Sequence, residues 1–248
     1  MPHASSLNAH TRVGLFAAAG AYGLWGFLPI YFKLLGDTPP LLILAHRIVW
    51  SVPTALLLVA AAGRLGELLD AVRKPRARYL LLVSALAVGL NWALYIWAVT
   101  QNRVLEGSLG YFINPLITFL FAALFFGERF DRLQLLALAL ACLGVANQAL
   151  VVGEFPWIAL SLAVSFALYG VIRKRVPVDT RVGFAVETMW LAPAAVAGLV
   201  LLTPPNVSVF GDVAPLLVFL LLLSGPVTAA PLILFGVGAR RLRLSTIA

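Results

Sequence analysis

Arg47 and Glu187 are formal charges set inside long apolar runs, in LILAHRIVWSVP and FAVETMWLAP. If those runs cross a bilayer, a charge at the helix centre costs ~2.5 to 3.5 kcal/mol on insertion scales. Each then needs a partner or a wet cavity. The chemistry open to such groups is the making and breaking of ion pairs: Arg47 with Glu106, and Glu187 with Arg241 or Arg243. Alternating between the two clusters would gate access to a site between them. The plainer reading is that Arg47 and Glu187 snorkel toward opposite interfaces and only fix their helices.

His46 adjoins Arg47 and has the titration range of a proton relay, although a lone histidine is more often a hydrogen-bonded structural residue. Asn91, Trp92, Tyr95, Tyr111 and Asn114 cluster around one hairpin of apolar segments. They fit an aromatic, hydrogen-bonding substrate cavity, or equally interfacial anchoring with bonds between helices. Trp25, Tyr169 and Trp190 carry the same two readings. Enzyme chemistry finds little support. There is no HExxH, no phosphate-binding glycine loop, and no histidine to activate Ser224. No cofactor or metal site is implied, and the single cysteine, Cys142, reads as a small packed side chain.

The elements that must position these residues follow from composition. The 248 residues are 62% hydrophobic and 11% charged, far from the usual balance of a soluble domain. This is an all-α, polytopic integral membrane protein, with the lipid bilayer as its solvent. Eight spans are expected, at 13–32, 41–62, 79–100, 107–127, 133–152, 155–172, 182–202 and 213–239. The last contains Pro215, Pro226 and Pro231 and is expected to kink or to begin with a non-helical stretch. The net charge of +8 does not point to nucleic acid, because the basic residues fall in short clusters between spans. Those clusters lie almost entirely on the side of the N-terminus, which places that side in the cytoplasm. The loop 63–78 on that side reads as solvated, or as lying on the anionic leaflet. Arg47 then lies roughly 10 Å below the outer edge and Glu187 roughly 8 Å above the inner one, too far apart in depth for a direct bridge.

The spans also repeat. Ala45, Trp50 and Pro53 match Ala185, Trp190 and Pro193 at one constant spacing, which makes Arg47 and Glu187 equivalent. Leu24, Trp25 and Gly26 resemble Leu168, Tyr169 and Gly170, while Arg103, Ser108 and Leu109 resemble Arg241, Thr246 and Ile247. A five-span unit has an odd number of crossings, so its second copy enters from the opposite side: an inverted repeat, as in many secondary transporters. The expected units are 13–152, complete with five helices, and 155–248, which stops at the start of a ninth span and lacks helices nine and ten. On this reading the chain is a truncated form of a ten-helix, 5+5 architecture.

Several motifs in order, GLWGFLPIYFKLL, AHRIVWS, NWALYIWAV, LEGSLGYFINPL, FGERF and RLRLST, closely resemble the RarD branch of the EamA transporters, in the drug/metabolite transporter superfamily. The resemblance implies ten helices, a bacterial cytoplasmic-membrane location, and a permease that moves small metabolites or drug-like molecules. The function expected is therefore secondary transport by alternating access. The alternatives are a non-transporting scaffold or channel, or an inactive fragment. The partners expected are a small-molecule substrate and the bilayer, with a homodimer left open.

Overall fold

A computed structural model describes residues 3–36, 38–101, 103–152, 155–202 and 215–247. The described residues form ten helices: α1 His3–Leu34, α2 Pro40–Ala61, α3 Leu65–Arg73, α4 Pro75–Thr100, α5 Val104–Phe126, α6 Arg132–Val152, α7 Trp157–Arg175, α8 Thr180–Leu202, α9 Pro215–Arg241 and α10 Leu244–Ile247. Seven of them, α1, α2, α4, α5, α7, α8 and α9, are long and apolar enough to cross a membrane. The eighth expected span, 133–152, is α6, whose described apolar stretch is the shorter Arg132–Gln148. The start of the expected ninth span is the short helix α10.

Proline and glycine set several boundaries. Pro40 and Pro75 open α2 and α4 at the first helical turn, where a missing N–H costs nothing. As described, α9 runs from Pro215 and stays helical through Pro226 and Pro231. The non-helical start expected near Pro215 falls at residues 213–214, which lie outside the described residues. Gly127 closes α5 in the left-handed conformation (φ 61°), with Gly127 N–H donating to Ala123 O and Glu128 N–H to Ala122 O.

Two further expectations are corrected. The basic loop 63–78 contains the amphipathic helix α3, which buries Leu68 and Ala71 and packs against α8 and α4. Cys142 is exposed on α6 rather than packed, because α6 lies at the margin of the bundle and packs chiefly against α5.

The bundle is built around α7, the span with the largest buried share at 61%. Close approach is bought by small residues: Gly110 on α5 faces the Ala159 backbone on α7, and Gly238 on α9 faces Ala18 on α1. The strongest helix pairs are α5 with α7, α2 with α8, α1 with α9, α2 with α9 and α4 with α7, followed by α4 with α8.

Candidate substrate cavity and the sealed half of the bundle

Asparagine amides fix the walls of a cavity by bonding to the backbone of α7. Asn91 Nδ2 on α4 donates to Leu162 O at 2.9 Å and to Ser165 Oγ at 3.1 Å. Asn114 Nδ2 on α5 donates to Ala163 O at 3.1 Å. Carbonyls within a helix retain a second acceptor site, so these amides join three spans without breaking α7. Between α1, α2, α4, α5, α7 and α9 they leave a cavity of about 460 Å³, within the usual range for small-molecule sites.

Seven residues singled out in the sequence line it: Trp25, Arg47, Asn91, Trp92, Tyr95, Tyr111 and Asn114. Tyr95 and Tyr111 meet edge to face with centroids 5.7 Å apart. Arg47 is buried and sits over Trp92 and Phe32, with its guanidinium carbon 5.0 and 5.3 Å from the ring centroids. Its Nε donates to Thr228 Oγ1 on α9 at 3.1 Å. The expected pairing with Glu106 is not formed. Glu106 is bonded instead to Arg103, three residues earlier, where one helical turn brings the two together. His46 does not line the cavity; its Nδ1 accepts from Trp50 Nε1 at 3.2 Å, one turn along α2. Trp190 is partly exposed on α8, also outside the cavity.

The cavity lies toward the C-terminal ends of α1 and α4 and the N-terminal ends of α2 and α5. The other half of the bundle is closed in layers. Trp25 and Phe166 form the first with Phe235, their centroids 5.1 to 5.7 Å apart. Tyr169 stacks against Phe235 beneath them and is fully buried, with its hydroxyl lacking a hydrogen-bond partner among the described residues. Beyond lies Glu187, which accepts from Ser84 Oγ at 2.6 Å and pairs with Arg173 Nη1 at 3.4 Å, both charges being 2% exposed. Arg173 Nη2 also donates to Thr180 O at 2.8 Å. Glu187 is thus paired, but not with Arg241 or Arg243. Those two side chains are exposed near the end of α9, whereas Arg173 projects inward from the last turn of α7.

Three consecutive basic residues finish that seal. After Arg173, Lys174 Nζ donates to Leu242 O and Ala239 O at the end of α9. Arg175 Nη2 donates to Phe125 O at the end of α5. Helix C-termini present unpaired carbonyls and a partial negative charge, so α7 uses its basic end to cap its neighbours. Glu128 completes the layer, accepting from Leu244 N–H at 2.8 Å and from the Ser245 N–H and hydroxyl. Partial burial pushes the Glu128 carboxyl upward, but these donors and the Lys174 charge outweigh it and hold it below the usual carboxylate range. Tyr22 adds a bond from its hydroxyl to Ile247 O at 2.6 Å.

The sequence reading missed Arg173, Ser84 and Thr228. Arg173 was masked by its neighbours, since Arg-Lys-Arg reads as a solvated positive end. Ser84 had a usable signal: it lies seven residues before Asn91 on α4, on the same helix face. Among the described residues no group of three or more His, Cys, Asp or Glu side chains is placed to hold a metal.

The sequence profile of the EamA-like transporter family matches residues 12–147. Protein RarD of Escherichia coli (strain K12) is 43% identical over 237 residues, covering 96% of this chain and 80% of that protein. The chain belongs to the EamA-like transporter family. An uncharacterized transporter of Vibrio cholerae is also 43% identical, over 236 residues, covering 95% of this chain and 78% of its own. A crystal structure at 21% identity superposes with a TM-score of 0.70 over 96% of this chain and 82% of the other, a likeness of fold. The motifs that carry the EamA and RarD resemblance contribute Trp25, Arg47, Asn91, Trp92, Tyr95, Tyr111 and Asn114 to the cavity. FGERF and RLRLST meet at the closed end, where Glu128 of the first caps Leu244 and Ser245 of the second.

Proposed function

We propose that this EamA-family protein is a secondary transporter of the bacterial cytoplasmic membrane that moves small metabolites or drug-like molecules by alternating access. The observation that carries the reading is the asymmetry between the halves: a cavity of about 460 Å³ at one end and successive aromatic and ionic layers at the other. The basic clusters lie at the sealed end, so the positive-inside rule puts that end in the cytoplasm with the N-terminus and the cavity in the outer half.

Helix packing supports two inverted units. Exchanging α1 with α7, α2 with α8 and α4 with α9 turns the α1–α9 pair into α7–α4 and the α2–α9 pair into α8–α4, all of which are observed. The α2–α8 pair maps onto itself. Rocking one such unit against the other would close the cavity and open the sealed half. Trp25, Arg47, Asn91, Trp92, Tyr95, Tyr111 and Asn114 are the substrate-contacting residues, while Glu187, with Arg173 and Ser84, belongs to the inner seal. Tyr169 packs within that seal; His46 and Trp190 support α2 and α8.

The test uses Cys142→Ala as background with Ser108→Cys in the cavity wall and Ser84→Cys in the seal. A membrane-impermeant maleimide should label Ser108→Cys from outside in the structure described and lose access as the carrier turns inward. Ser84→Cys should gain access from the cytoplasm in that same step. Simultaneous access from both faces would indicate a channel, and permanent inaccessibility of Ser84→Cys would remove the inward-open state.

A further inference from the structure

The cavity carries a charge that the protein leaves unanswered. Arg47 uses Nε for Thr228, and among the described residues neither Nη1 nor Nη2 has a hydrogen-bond partner or is sealed from the cavity. No carboxylate of the described residues pairs with it, since Glu106 is held by Arg103 and Glu187 by Arg173. The rings of Trp92 and Phe32 restrain the guanidinium carbon at 5.0 and 5.3 Å, so its free edge is oriented before any ligand arrives.

We propose, building on the transport reading above, that the substrate is a monocarboxylate with an apolar or aromatic body, its carboxylate seated on Nη1 and Nη2 of Arg47. The planar guanidinium edge matches a carboxylate in a bidentate pair, which a low-dielectric wall strengthens. One charge is favoured over two because Arg47 is the sole Lys or Arg side chain among the described residues that line the cavity. A phosphate dianion entering there would remain half-neutralised. The Asn91 and Asn114 amides and the Tyr95 and Tyr111 hydroxyls supply neutral polarity near the head, while Trp25 and Phe166 receive the body.

The experiment is calorimetric titration of the purified full chain with hydrocinnamate, its uncharged amide hydrocinnamamide, and phenethyl phosphate. A charge-assisted pair at Arg47 predicts that the acid binds about tenfold or more tighter than the amide, and tighter than the phosphate. Arg47→Gln should erase the preference and Arg47→Lys should restore part of it. The matched comparison on unaltered protein does not depend on either variant folding. Equal binding of acid and amide, tighter binding of the phosphate, persistence of the preference in Arg47→Gln, or no binding of any probe would each overturn the proposal. Counterflow of labelled hydrocinnamate in proteoliposomes separates this inference from the transport reading. Binding with no counterflow would sink transport and leave the anion site standing. Counterflow of acid and amide at equal rates would do the reverse.

Discussion

Arg47 and Glu187 each reach a hydroxyl on a helix of the other half of the chain: Arg47 donates from α2 to Thr228 on α9 at 3.1 Å, and Glu187 on α8 accepts from Ser84 on α4 at 2.6 Å. The two bonds span α2–α9 and α8–α4, the helix pairs that the proposed repeat exchanges, with opposite charges. Their difference lies in what else each charge meets. Glu187 has Arg173, whereas Arg47 has aromatic faces and open space.

The buried Arg173–Glu187 pair should behave as a unit. Arg173→Met or Glu187→Leu alone leaves one charge buried without its partner and is expected to cost about 3 to 5 kcal/mol. The double variant should recover most of that loss. A double-mutant cycle by denaturant titration in detergent checks this, and additive losses would show that the pair is not coupled.

Asn91→Ala and Asn114→Ala are expected to lower stability only modestly, by about 0.6 kcal/mol each, the usual size of a hydrogen bond between membrane helices. Substrate handling should suffer more, because both residues also line the cavity. Comparing unfolding midpoints with uptake KM in proteoliposomes separates the two effects; an unchanged KM would make these residues purely structural.

Gly225 on α9 lies against the Trp50 carbonyl and the Thr54 hydroxyl of α2, leaving no room for a Cβ. Gly225→Ala is expected to cost about 1 to 3 kcal/mol through overpacking. Gly26→Ala, where a Cβ would meet nothing within 4 Å, should be neutral or slightly stabilising. Thermal unfolding of the two variants side by side gives the comparison.

Much of this organisation was legible in the sequence, for identifiable reasons. Apolar runs the length of a bilayer announce spans, so the all-helical architecture followed, and seven of the named polar and aromatic residues do meet in one cavity. Ion pairs were less legible. Glu106 was available to Arg47 by depth, but Arg103 lies one turn away on its own segment and takes it first. Arg173 stood in a basic cluster that usually marks solvent, and only the rotation of the last turn of α7 distinguishes it from Lys174 and Arg175. At α6 the expected span 133–152 has a described apolar stretch of only Arg132–Gln148, shorter than the other seven.

Acid should loosen the sealed end. The Glu128 carboxyl is held below its ordinary value, so its stabilising contribution is fully present above the ordinary carboxylate range. It is lost as pH falls through that range toward the lower folded value. Docking of α10 is therefore expected to be flat across neutral pH and to weaken only in acid. Glu128→Gln should weaken it at neutral pH and remove its acid dependence. Limited proteolysis near Leu242 as a function of pH measures both, and loosening that begins near neutral pH would contradict the assignment.

Helix α3 has a mechanical consequence. It joins α2 to α4 yet is tied to the other half of the chain, where Glu67 accepts from Asp179 N–H at 2.6 Å and Arg64 approaches the Asp179 carboxylate at 3.5 Å. Asp179 in turn caps the first turn of α8 through Arg181 N–H at 3.0 Å. Tilting α8 must therefore pull on a short lever whose outer face carries Leu69 and Val72. In the transport cycle proposed above, lipid packing around that lever would act as a load, and bilayer tension would set its turnover.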